Sequence, residues 1–126
     1  MTLGAFSVSL SVKDLSKSRA FYTALGFEEF TGDADAGWIM LRNGNAVIGL
    51  FQGMFEGNLM TFNPGWDQNA QAVEGFTDIR EIQATLKDQG IALETETDPD
   101  GDGPANFMVI DPDGNPVFLD QHVPKP

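Results

Sequence analysis

Ser7–Val12 alternates serines with Val8, Leu10 and Val12, and this period of two predicts a half-buried strand. A helix follows, capped by Asp14 or Ser16, with Leu15, Ala20, Phe21 or Tyr22, and Leu25 at roughly helical spacing. Gly26 supplies its left-handed stop. Phe27–Thr31 reads as a short strand and Gly32–Gly37 as a polar turn. Gly37–Arg42 and Asn45–Gln52 read as a hairpin around Asn43-Gly44, because both positions of a type I′ turn need positive φ. Gly53–Ala70 is long for a connection and carries Met54, Phe55, Leu59, Met60, Phe62 and Trp66. A lid, a dimer contact and packing on the protein's own flank all suit such a segment.

The order then recurs. Gln71–Thr77 is expected as a strand, and Asp78 as a helix cap with Glu81 in a capping box. Ile79, Ile82, Leu86 and Ala84 are expected to form the buried stripe, and Gly90 ends the helix. Ile91–Glu96 is a further expected strand, Asp98–Ala105 an acidic loop, and Asn106–Asp111 with Pro116–Gln121 a hairpin around Asp113-Gly114. Asp14 stands to Gly26 as Asp78 stands to Gly90. Two βαβββ modules in one domain follow, at about 1–52 and 71–123, joined by an apolar linker at 53–70. The tail from His122 is expected to fray.

The chain has 126 residues, enough for one real core. Asp and Glu number 19 and Lys and Arg 7, a net charge of −12. That field repels phosphate backbones, so nucleic acid is not an expected partner. With no cysteine, thiolate nucleophiles and thiolate metal sites are excluded. The opening MTLGAFSVSL does not read as a signal peptide, and no stretch approaches the ~20 apolar residues of a membrane span. A cytoplasmic protein is the expectation.

VKDLSKSRAFYTALGF resembles the opening signature of the vicinal oxygen chelate superfamily, and IDPDGNPVFLDQ resembles its closing one. That superfamily holds glyoxalase I, bleomycin-resistance proteins and extradiol dioxygenases. The resemblance implies an α+β fold in which two βαβββ modules form a cupped mixed sheet with helices outside. It also implies a ligand in the cup and homodimers. Its enzymes usually hold a divalent metal through His, Glu or Gln on four strands. Those positions fall here on Ser7, Gly49, Gln71 and Phe118. Gly49 and Phe118 have no donor, Ser7 offers a neutral hydroxyl, and Gln71 a weak amide. No metal or other cofactor is therefore expected.

Alternation with Gly49 puts Val47 and Phe51 on the cup face. An Asn43-Gly44 turn would pair Trp38 with Gly49 and Met40 with Val47. Phe107, Val109 and Asp120 are expected beside Phe118, with Ser7, Ser9 and Gln71 as a polar side. Such a lining suits a small-molecule pocket and equally a closed aromatic core. The expected function is metal-free binding of a cationic or aromatic small molecule. The alternative is a lyase, isomerase or dioxygenase, with relocated ligands or with acid–base chemistry on Glu74 or Asp120. A third option is an interaction module on the 53–70 segment. Asp98-x-Asp100-x-Asp102 resembles the start of a calcium loop, but Val109 stands where that loop needs its glutamate.

Overall fold

A computed structural model describes all of residues 1–126. Its elements are β1 Ala5–Val12, α1 Leu15–Ala24, β2 Glu28–Asp33, β3 Trp38–Asn43, β4 Ala46–Gln52, β5 Leu59–Asn63, α2 Ile79–Asp88, β6 Ala105–Ile110 and β7 Pro116–Gln121. Two compact units result: Ser7–Leu59, and Met1–Phe6 with Met60–Pro126. No helix is long and apolar enough to cross a membrane.

In the Ser7–Leu59 unit the strand order is β2-β3-β4-β1, with β1 parallel to β4 and the other pairs antiparallel. Asp14 caps α1 by accepting from Lys17 N, and Gly26 takes φ 100° just past its end. The core is Leu15, Ile39, Leu41 and Leu50, with Leu10, Val12, Tyr22, Phe27 and Ile48 packed on it. Tyr22, half-buried, is the aromatic of α1 that packs on this core; Phe21 and Leu25 stay exposed. The hairpin turn is Gly44-Asn45 rather than Asn43-Gly44, since Asn43 already pairs with Ala46. Gly44 alone takes positive φ there, at 58°.

In the other unit the order is β5-β7-β6, β5 parallel to β7 and β6 antiparallel to it. Ile79, Ile82, Phe107 and Leu119 form its core, with Phe62, Leu86, Val109 and Val117 against them. Three expectations change here. The module's first strand is Leu59–Asn63, inside the expected linker, while Gln71–Thr77 has a single bridge, Ala72 to Trp66. Ile91–Glu96 is not a strand: Glu94 N and Thr95 N both donate to Met108 O, so no regular ladder forms. The tail is tied down at two points: Lys125 N donates to Asp102 O at 2.8 Å and Gln121 Nε2 donates to Val123 O. In α2 the buried partner of Ile79 and Ile82 is Gln83, not Ala84, its amide exchanging two bonds with Thr97.

Duplication survives these shifts. Leu10 opposite Leu50 opposite Ile39 has its counterpart in Phe62, Leu119 and Phe107. In each unit a glutamine closes the last strand and caps the helix: Gln52 Oε1 accepts from Leu15 N at 2.7 Å, and Gln121 Oε1 from Ile79 N at 2.8 Å. A first-turn N–H that would otherwise lack a partner is thus satisfied in both.

Candidate functional site

Strand alternation decides what each unit leaves on the side away from its helix. In the Ser7–Leu59 unit the odd residues of β1 and β4 lie there. Ser9 pairs with Gly49 and Ser11 with Phe51. From β3, Met40 lies opposite Gly49 and Trp38 opposite Phe51. The expected face is therefore kept, but its register moves by one pair, because the turn sits one residue further along. Gly49 is glycine for space rather than for backbone conformation. A Cβ there would lie 2.5 Å from Phe51 Cε2 and 2.8 Å from Met40 Sδ.

An aromatic row results. The Trp38 and Phe51 rings are near-parallel, 8° apart with centroids 6.3 Å apart, and Phe55 sits 5.3 Å from Phe51. Trp38, Met40, Phe51 and Phe55 are all partly exposed. Phe55 arrives on the segment after β4, which Ser11 ties down: its Oγ donates to Phe55 O at 2.8 Å, and its N–H to Asn58 Oδ1 at 3.2 Å. This part of the apolar segment packs on its own unit. Phe55 belongs to the row, and the sequence reading missed it. Its signal was an aromatic just after a strand already assigned to the face.

Gly49→Val tests this packing. The added side chain must displace the Phe51 ring and the Met40 thioether, at a cost of about 1–3 kcal/mol for an overpacked site. Chemical denaturation checks the loss, and near-ultraviolet circular dichroism checks that the Trp38–Phe51 arrangement is disturbed.

In the other unit the side away from α2 carries Thr61 and Met108 opposite Phe118, and Asn106 opposite Asp120. Phe107 is not on it. It pairs with Leu119 and is fully buried in the core, and Val109 faces the same way. The closing hairpin explains this. Its loop spans five residues, Asp111 to Asn115, since Ile110 is already opposite Pro116. Asp111 accepts from the Asp113 and Asn115 amides and from the Asn115 side chain. The Asn115 side chain leads in holding its carboxyl below the usual range. Against a two-residue turn the register slips by one, which moves every side chain to the opposite face.

Gln71 lies in an exposed turn, its N–H donating to Asp67 Oδ1 and its amide to Asn69 O. Glu74 is exposed in the turn before Gly75. Neither lies on a strand. The β5 position equivalent to Ser7 is Leu59, two residues before Thr61. The four implied metal positions therefore offer a hydroxyl, a glycine, a leucine and a phenylalanine, and this donor set does not fit a divalent metal. No three His, Asp or Glu side chains converge elsewhere.

Asp120 has a partner the sequence reading left out. His122 Nε2 lies 2.9 Å from Asp120 Oδ2, and the His122 ring meets Trp66 edge-on at 4.9 Å. The hydrogen bond to Asp120 raises the His122 pKa above its ordinary value, against the opposing effect of burial. An Asp-x-His spacing at a strand end puts both residues on one side, and that was the available signal.

A model of the Glyoxalase/Bleomycin resistance protein/Dioxygenase superfamily matches residues 4–119. No curated protein sequence matches significantly. Among solved structures the chain is similar to a member of that superfamily from Vibrio splendidus 12B01, at 20% identity and TM-score 0.62, over 92% of this chain and 97% of that one. It is also similar to NAD-dependent benzaldehyde dehydrogenase from Legionella pneumophila, at 18% and 0.67, over 93% and 98%. A third is methylmalonyl-CoA epimerase from Mycobacterium tuberculosis, at 17% and 0.64, over 98% and 91%. Such distant likenesses carry the fold and leave the chemistry to the site. With its α+β fold, its duplicated helix-capping glutamines and a family match that spans nearly the whole chain, this protein belongs to the glyoxalase/bleomycin resistance protein/dioxygenase superfamily.

Proposed function

We propose that this protein binds a small aromatic or cationic molecule on the face formed by β1, β4 and β3, without a divalent metal. The observation that carries the reading is the Trp38–Phe51–Phe55 row beside Met40, partly exposed above a glycine where the family's enzymes place a ligand. Flat aromatic faces and a polarisable thioether suit a planar or cationic guest. Each such contact contributes about 0.5–2 kcal/mol. Ser7 and Ser9 supply neutral polar groups at one side. A net charge of −12 favours a cation over an anion. The same reading carries a homodimer and a cytoplasmic location, with no nucleic-acid or membrane partner.

The test is a thermal-shift screen of aromatic cations and neutral aromatics in the presence of EDTA, followed by titration of the best compound. Trp38→Ala is expected to weaken that compound by about tenfold or more. Unchanged affinity in Trp38→Ala, or binding only with added metal, would contradict the reading.

A further inference from the structure

We propose that His122 and Asp120 form a general-base dyad that removes an acidic C–H proton from an apolar or aromatic small molecule on the side of β7 and β6 turned away from α2. This goes beyond binding and uses none of the Trp38–Phe51–Phe55 row. Three observations carry it. First, Asp120 Oδ2 and His122 Nε2 are 2.9 Å apart. The carboxylate selects the Nε2–H tautomer, which makes the Nδ1 lone pair the basic site of the ring. Second, the residue between them is fixed. Gln121 is buried and its amide makes three bonds: it accepts from Ile79 N and donates to Asp78 Oδ1 and Val123 O. The strand end that aims both side chains is therefore held. Third, the surroundings are open and partly apolar, with Asn106 opposite Asp120 as the polar neighbour. Phe118 and Met108 lie on the same side, Trp66 packs edge-on against the imidazole, and the His122 side chain is 49% exposed.

The step balances without a co-reactant. The substrate C–H bond breaks, its proton forms a bond to Nδ1, and the electron pair stays on the substrate, delocalised into its withdrawing group. Asp120 is the charged group in contact with the ring and stabilises the imidazolium that forms. Return of the proton gives an isomer, and loss of a leaving group gives elimination. The hydrogen bond to Asp120 raises the imidazole above its ordinary value and so makes it a stronger base. Asp120 acts through His122 and is a positioning residue.

The probe is 5-nitrobenzisoxazole, a carbon acid. Its deprotonation breaks the ring N–O bond and releases a coloured cyanonitrophenolate. Wild type should react saturably, and His122→Gln should lose roughly a hundredfold in kcat/KM. Asp120→Asn should lower the rate and move its pH midpoint downward. Because the chain has a single histidine, its ring proton resonances can be followed alone. Their midpoint should fall in Asp120→Asn, while both variants keep the wild-type unfolding temperature. A His122→Gln rate equal to wild type, a wild-type rate no greater than free imidazole, or an unmoved resonance midpoint would overturn the dyad.

Discussion

Asp78→Ala is expected to lower the unfolding free energy by about 3–5 kcal/mol and the melting temperature by roughly 10–20 °C. Asp78 is 1% exposed and Arg80 8%. The carboxylate accepts from Arg80 Nη1 at 3.1 Å, from Arg80 N at 3.1 Å and from Gln121 Nε2 at 2.9 Å. Arg80 in turn donates to Asp98 O and Gly103 O, holding the acidic loop against α2. Removing the carboxylate alone leaves a buried guanidinium without its counter-charge and takes from the Gln121 amide one of its two acceptors, Val123 O remaining. Asp78→Ala combined with Arg80→Met should cost less than Asp78→Ala alone, because no charge is then stranded. Denaturant unfolding of the two variants checks this; a loss under about 1 kcal/mol for Asp78→Ala would show that the pair is not buried as described.

The same network sets a pH dependence. Burial pushes the Asp78 pKa up, but the Gln121 bond, the Arg80 N–H and the Arg80 charge outweigh it and hold the carboxyl below its usual range. A group lowered on folding binds more protons when unfolded. Its contribution is therefore complete above the usual carboxylate range and is lost as pH falls through the folded value. Wild type should lose stability there, and Asp78→Asn should lose less of its remaining stability over the same window.

Phe107→Ala is the second large effect, expected at about 3–5 kcal/mol. Phe107 is fully buried between β7 and α2, beside Ile79, Ile82 and Leu119. Truncation leaves a cavity in the middle of that core. The variant also separates two registers of the closing hairpin. On the opposite face of its own sheet Phe107 would lie outside this core, and its loss would spare stability. With Leu119 as its partner, stability falls while Trp38-dependent binding is retained. Urea unfolding and ligand titration on the one variant read both.

Much of the fold was legible because alternation and helix caps are local signals. Ser7–Val12 and Ala46–Gln52 present the expected faces, and Asp14 and Asp78 cap the two helices. The site was legible only as far as turn length could be inferred. An Asn-Gly or Asp-Gly pair marks a turn but does not say which residue pairs last. At Gly44-Asn45 the shift is even in effect: the Trp38 and Met40 partners move by one pair and the face is kept. At Asp111–Asn115 the side chains of Asp111 and Asn115 build a five-residue loop, and Phe107 crosses from face to core. Leu59–Asn63 hid inside an apolar segment because five residues of one strand look like any other apolar stretch. Gln52 and Gln121 give no sign in sequence of the amides they cap. That bond depends on strand and helix ends meeting in space.

Native mass spectrometry of protein purified without chelator asks most directly whether a member of this superfamily with a hydroxyl, a glycine, a leucine and a phenylalanine at the metal positions works as a metal-free binder. The account predicts a chain mass free of zinc, nickel, iron or manganese, with a small organic adduct that disappears in Trp38→Ala. One divalent ion per chain, retained in Trp38→Ala, would contradict it.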